Sequence, residues 1–302
     1  MVNRVYKIVF VILHYQVIEE TKKCVTSIQS RLDTENYHII VVDNKSPNGS
    51  GETLRELYQI DKRITVLLNE MNLGFACGNN VGFRYALDQL NADFIVLLNN
   101  DTYLIQDDFA KVVFEEWEYS HFAVLGPKIY TPEGSFTNPM RTTLLCGWAL
   151  WIVIIKNFFF YYWHFLNLDF IWTPVRKFLF KRDDDLFDKN FSETIKKEVN
   201  KRMENVQLQG ACLIFSKKYS LAFDGLDSRT FFYWEEAILY AQLLRHGLLA
   251  VYNPRLKLFH LKGGSCTNRN NRGAILSRYR TFLKSLLIYK KILNDSEDRP
   301  HL

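Results

Sequence analysis

Tyr6-Lys7-Ile8-Val9-Phe10-Val11-Ile12-Leu13 is an almost unbroken run of β-branched, aliphatic and aromatic residues. Such a run, without the alternation of a half-solvated strand, fits a strand covered on both faces of a parallel sheet. Glu19 to Arg31 then sets Val25 and Ile28 on a polar background, which predicts a helix. A second apolar run, His38 to Val42, stops at Asp43-Asn44-Lys45-Ser46-Pro47-Asn48-Gly49, a segment dense in turn residues. The order then repeats: a helix over Gly51 to Gln59, a strand over Ile64 to Leu68, and a Gly- and Asn-rich loop. A helix near Val81 to Leu90 and a strand over Phe94 to Leu98 follow. This alternation predicts an α/β fold with a doubly wound, mostly parallel sheet, whose ligands lie beyond the carboxyl ends of the strands. The polar clusters stand at those ends.

From Leu144 to Phe180 the texture changes to aromatic and aliphatic residues with few charges. Its longest uncharged stretch, Thr142 to Ile155, is shorter than the ~20 residues a spanning helix needs. Extension to Leu168 puts Lys156 in mid-span. The expectation is therefore an interfacial or re-entrant helix pair facing a membrane, because Trp and Tyr favour the headgroup level. A buried helical insertion or an oligomer contact is the alternative. Lys181 to Asn205 is strongly charged and reads as a solvated helix or loop, with Asp183 to Asp185 as an acidic cap rather than a metal site.

Composition adds little to this pattern. The 15% aromatic content of the 302 residues is high, and much of the excess lies in the segment just described. A net charge of +5 favours phosphates or an anionic membrane surface and is too small to indicate nucleic acid. Cys24, Cys77, Cys146, Cys212 and Cys266 are odd in number and contain no C-x-x-C pair, so neither a disulfide framework nor a structural zinc site is expected. A reducing compartment fits them best. Val5 to Leu13 is short and lacks a small-residue cleavage site, so it reads as the first strand and not as a signal peptide.

Two polar clusters suggest chemistry. Phe94 to Leu98 runs into Asn99-Asn100-Asp101, where one carboxylate at a sheet edge can hold a hard cation against a diphosphate. The competing reading is an Asn/Asp turn that closes a strand. Asn69 to Gly82 sets glycines and amides before a helix, an arrangement that allows close backbone approach and favours anions. It matches neither the dinucleotide fingerprint nor the P-loop.

Taken with Ile12-Leu13-His14-Tyr15, Val41-Val42-Asp43-Asn44-Lys45-Ser46, Asn72 to Asn80, Gly210-Ala211-Cys212-Leu213, Phe231 to Glu236 and His260-Leu261-Lys262-Gly263-Gly264-Ser265, these pieces stand in a characteristic order. In order and spacing, over residues 5 to about 270, they resemble the family 2 glycosyltransferases of the GT-A fold, particularly rhamnosyltransferase-like members.

The resemblance implies an inverting, metal-dependent hexosyltransferase. Its donor is a nucleotide-diphosphate sugar, UDP- or dTDP-linked, and the sugar a deoxyhexose such as rhamnose. Its acceptor is a glycan, lipid-linked, in surface polysaccharide synthesis on the cytoplasmic, inner face of the cell membrane. Tyr15, Asp43, Asn44, Gly74, Asn79, Asn99 and Asn100 would border the donor, with Asp43 on the pyrimidine base. Asp101 and His260 would bind Mg2+ or Mn2+, Asn99 standing where the family's metal motif often has its first Asp. Glu236 would be the general base on the acceptor hydroxyl, and Glu235 would steady the acceptor or its loop.

The expected organisation is a nucleotide-sugar-binding half over 1–140 and a hydrophobic and charged helical insertion over 141–205. An acceptor half over 206–270 and a C-terminal helix over 271–302 complete it, with a homo-oligomer possible. One departure stands out: Ile238 occupies a position where the family pattern has an acid. That substitution supports a rival reading, a non-catalytic membrane-associated scaffold that keeps the fold.

Overall fold

The computed structural model describes residues 6–168, 200–261 and 272–295. The second part of the aromatic segment, the acidic run at 183–185 and the Gly263-Gly264 pair lie outside the described residues.

Among the described residues nine strands form one sheet in the order β3-β2-β1-β4-β8-β6-β9-β5, with β7 also paired to β9. The first half is parallel: β1 (Ile8–His14), β2 (Tyr37–Asp43), β3 (Ile64–Leu68) and β4 (Phe94–Asn99) run in one direction. Between them lie α1 (Ile18–Arg31), α2 (Ser50–Tyr58) and α3 (Gly74–Asp88). Then come β5 (Thr102–Leu104), α4 (Phe109–Ser120), β6 (Val124–Tyr130), α5 (Gly147–Phe165) and β7 (Met203–Glu204). The chain ends with β8 (Cys212–Ser216), α6 (Lys217–Ser220), α7 (Glu235–Arg245), β9 (Ala250–His260) and α8 (Arg272–Asn294). β8 enters antiparallel to both β4 and β6, so the sheet is mixed α/β with a largely parallel centre.

Double coverage of the central strands is direct. Ile8, Phe10 and Ile12 of β1 face a core shared with α1, α2 and α4, while Val9 and Val11 face a second core with α3, α6 and α7. This is why the strand reads as an uninterrupted apolar run. A third core lies outside the sheet, where Leu145, Leu150 and Ile154 meet Ala237, Ile238 and Ala241 of α7 and Leu286 and Tyr289 of α8.

One boundary departs from expectation. The Gly- and Asn-rich segment is not a loop up to Val81; α3 already starts at Gly74. Its glycines lie where the helix presses on the sheet: a Cβ at Gly78 would fall 2.8 Å from Leu13 Cδ1, and one at Gly82 would fall 2.4 Å from Val11 Cγ1. The small residues serve close helix–sheet packing.

No helix among the described residues is long and apolar enough to cross a membrane. α5 lies beside α8, with Phe160 stacked on Tyr279 and the Arg272 guanidinium donating to the His164 and Phe165 carbonyls. The partner of the aromatic helix is thus the C-terminal helix.

Candidate active site

The strand order reverses beside β1: the chain moves out through β2 and β3, then returns to β4 on the other side. Ligands of such sheets bind at that reversal, beyond the carboxyl ends of the strands. His14, Asp43 and Asn99 end the three strands there, with His14 opposite Asp43 and Leu13 opposite Asn99.

The ends are tied together by buried polar contacts. His14 Nδ1 lies 2.7 Å from Thr21 Oγ1 and its Nε2 2.8 Å from Ser50 Oγ. Burial pushes its pKa down to about 4, against the pull of Asp43, so the ring is neutral near pH 7. Asn100 donates to the same Thr21 hydroxyl at 3.1 Å, so its amide reaches inward rather than toward open space.

Asp43 accepts from the Ser46 amide and from its hydroxyl at 2.5 Å. A Cβ at Gly51 would lie 2.4 Å from the Asp43 carboxyl carbon, so only glycine lets α2 start against that carboxylate. Ser46 Oγ also accepts from Gln16 N, and the Asn48 amide donates to Gln16 O. These bonds join the loop that carries half-buried Tyr15 to the Asp43 loop.

Asn44 clasps the third loop. Its Nδ2 donates to Asn72 Oδ1 and Gly74 O, each at 3.0 Å, and its Oδ1 accepts from Leu73 N and Asn69 Nδ2. Gly74 follows at φ +78°, where a side chain would meet Phe231 O at 2.2 Å. Phe75 N donates to the same carbonyl, which brings the segment before α7 onto the start of α3. Asn79 donates back to Phe75 O, within the helix. Gly74 to Asn79 therefore stands at the site as the covered first turns of a helix, not as the loop expected.

On the other side of β4, Asp101 and His260 meet, and His260 Nε2 is 3.1 Å from Asp101 Oδ1. The contact is built by the sheet: β5 pairs with β9 so that Thr102 faces His260, and Leu261 N donates to Asp101 O. Both side chains are buried, and among the described residues His260 Nδ1 has no hydrogen-bond partner. A carboxylate and an imidazole suit a divalent ion such as Mn2+, with oxygens filling the other positions. Among the described residues no group of three or more His, Cys, Asp or Glu side chains forms a complete cage. Asn99, partly exposed, is held through its backbone: its N–H donates to Ala211 O and its carbonyl accepts from the Cys24 thiol.

Glu235 and Glu236 open α7 after Tyr233 and Trp234, both left-handed at φ 74° and 72°. Non-glycine residues in that region are uncommon and cluster at functional turns. Glu236 Oε1 accepts from Gly210 N at 3.2 Å, just before β8, and a Cβ at Gly210 would meet that oxygen at 2.7 Å. Desolvation raises its pKa. Glu235 accepts from Thr230 Oγ1 at 3.2 Å. Desolvation first, and the Glu236 charge second, push its pKa up to about 7. Two adjacent acids, Glu235 buried and Glu236 partly buried, both with raised pKa values, are the pattern of groups that hold and move protons near neutral pH.

Sequence reasoning placed His14 and Gly210 within matching motifs without giving either a role at this site, and it did not pick out Thr230. The imidazole at the end of an apolar strand was a usable signal; the other two depend on contacts between distant segments.

The family model described as glycosyl transferase family 2 matches residues 9–187. The chain is 27% identical over 132 residues to the low-salt glycan biosynthesis hexosyltransferase Agl10 of Haloferax volcanii, covering 44% of this chain and 39% of that protein. It is 29% identical over 101 residues to glycosyltransferase GlyA of Streptococcus pneumoniae, covering 33% of this chain and 14% of that protein. Both curated relatives thus extend well beyond the matched part. Among solved structures, S. aureus TarS 1-349 in complex with UDP superposes with a TM-score of 0.52 at 13% identity, over 96% of this chain and 66% of that one. A likeness at that identity speaks for the fold, here the one the sequence pattern led us to expect. With the match extending over more than half of its length, the chain belongs to glycosyl transferase family 2.

Proposed function

We propose that the chain is an inverting hexosyltransferase that uses a UDP- or dTDP-linked sugar, rhamnose being the first to test, and a glycan hydroxyl as acceptor. The observation that carries the reading is the pairing of two centres across one sheet edge. Asp101 with His260 forms a cation-ready pair, and Glu235 with Glu236 forms a proton-accepting pair. The names of the relatives, a hexosyltransferase of glycan biosynthesis among them, and the UDP in the TarS complex support it.

In this reading Asp101 and His260 hold Mg2+ or Mn2+, Mn2+ fitting the imidazole better. The cation supplies charge neutralisation for the departing diphosphate. The loops tied by Asp43 and Asn44 present the pocket for the nucleoside, with Tyr15 at its edge. The acceptor hydroxyl forms its bond to the anomeric carbon on the face opposite the diphosphate, as the bond from that carbon to the phosphate oxygen breaks. Its proton passes to Glu236, whose desolvated carboxylate is a stronger base than an exposed one. Glu235 retains a proton up to about pH 7 and limits the negative charge beside the base.

Calorimetric titration with UDP or dTDP, with and without Mn2+, tests the reading. Binding that strengthens with Mn2+ is expected, and absence of nucleotide binding favours the non-catalytic scaffold.

A further inference from the structure

α5 is apolar on two faces. Leu150 and Ile154 turn into the core with α7 and α8, whereas Trp148, Trp151, Ile155, Phe158, Phe159 and Tyr162 are exposed, Trp148 to 75%. At about 100° per residue these six fall within an arc of roughly 100°, a single stripe about 20 Å long. Monomeric soluble proteins rarely leave such a stripe uncovered.

Along α5 and α8 themselves the ionic charge has one sign. α5 has Lys156 as its one ionic residue, and α8 carries Arg272, Arg278, Arg280, Lys284, Lys290 and Lys291 with no acid along its length. Lys290 lies over the Trp151 ring, 3.7 Å from its centroid. Next to it a cleft of about 510 Å³ is bounded by Trp151, Leu150, Leu293, Cys146, Lys290 and Arg245. Among the described residues the buried Arg245 Nη1 has no hydrogen-bond partner. A guanidinium nitrogen left unpaired in an apolar cleft is costly unless an anion completes it.

We propose that the α5–α8 face docks on an anionic membrane surface, its rings at the headgroup boundary and a lipid phosphate taken up between Arg245 and Lys290. Trp and Tyr favour that depth, and basic residues beside them gain from anionic lipid. A second copy of the chain is the less suitable occupant, because two such faces would oppose basic helices that carry no acid. Arg245 ends the helix that Glu235 and Glu236 begin, about 15 Å away. A lipid-linked acceptor would thereby reach the glutamates, a step that rests on the proposed transferase reading; the docking itself does not.

Flotation of the full chain with phosphatidylcholine vesicles, and with vesicles enriched in phosphatidylglycerol, tests this at low and high salt. Partition onto the anionic vesicles should be at least about tenfold stronger and should fall with salt. Trp148→Ser with Phe159→Ser should weaken it about tenfold or more on vesicles of either composition. Arg245→Gln with Lys290→Gln should weaken it on the anionic ones only. Failure of the intact chain to float, or equal flotation of all variants, overturns the proposal. So does a concentration-dependent dimer that the Trp148→Ser, Phe159→Ser chain loses while flotation stays absent. Donor hydrolysis measured without vesicles reads the transferase separately, so failure of one idea is distinguishable from failure of the other.

Discussion

His260 and Asp101 stand 3.1 Å apart although 159 positions separate them in the chain, because β5 and β9 pair antiparallel at that edge. If the pair holds the cation that receives the diphosphate, Asp101→Ala should lower transfer by about a hundredfold or more, the range for loss of a charge-stabilising group. The far-ultraviolet circular dichroism should remain that of the wild type. Activity within a few-fold of wild type would remove Asp101 from the site.

Glu236 rests on the Gly210 amide and Glu235 on the Thr230 hydroxyl, so the two acids are held by different segments. Glu236→Gln should reduce kcat by about a hundredfold or more and leave nucleotide affinity nearly unchanged, since the proton transfer alone is affected. Steady-state kinetics beside UDP titration check this. If Glu235→Gln shows the larger loss, the two roles are exchanged.

The raised pKa of Glu235 has a consequence for stability. Its ordinary value is 4.5 and its folded value about 7, so the folded state binds the proton more tightly. Stability should be unaffected by this group below about pH 4.5, decline as pH rises toward 7, and level off above, by at most about 3 kcal/mol. Chemical denaturation of wild type and Glu235→Gln across that window should show the slope in the wild type and its loss in the variant.

Ile238, fully buried, explains its own departure from the family's acidic pattern: it packs in the core that joins α7 to α5 and α8. An acid there would be desolvated without a partner. Ile238→Asp should therefore destabilise the chain by about 3 kcal/mol or more, read as a lower midpoint in urea. A variant as stable as wild type would mean that the α5–α8 cover is loose.

The first half of the fold was legible because its central strands are covered on both faces, so β1, β2 and β4 show as apolar runs. The start of α3 was not, because Gly78 and Gly82 carry the signature of a loop when their purpose is the close approach to Leu13 and Val11. Asp101, His260 and the two glutamates could be picked out through the ordered motifs of the family. Their supports could not: Thr230 lies outside those motifs, and the bond from the Gly210 amide to Glu236 is a contact across the chain that no motif states. The aromatic segment signalled an exposed apolar face, yet only the structure sets α5 against α8 with Lys290 over Trp151.

The central claim, sugar transfer from a nucleotide donor, is tested most directly by incubating the chain with a panel of UDP- and dTDP-linked sugars and measuring release of the nucleoside diphosphate. The account predicts release from at least one donor, faster with Mn2+ and abolished by Asp101→Ala. No release from any donor, together with no binding of UDP or dTDP, would contradict it and leave a non-catalytic scaffold with this fold.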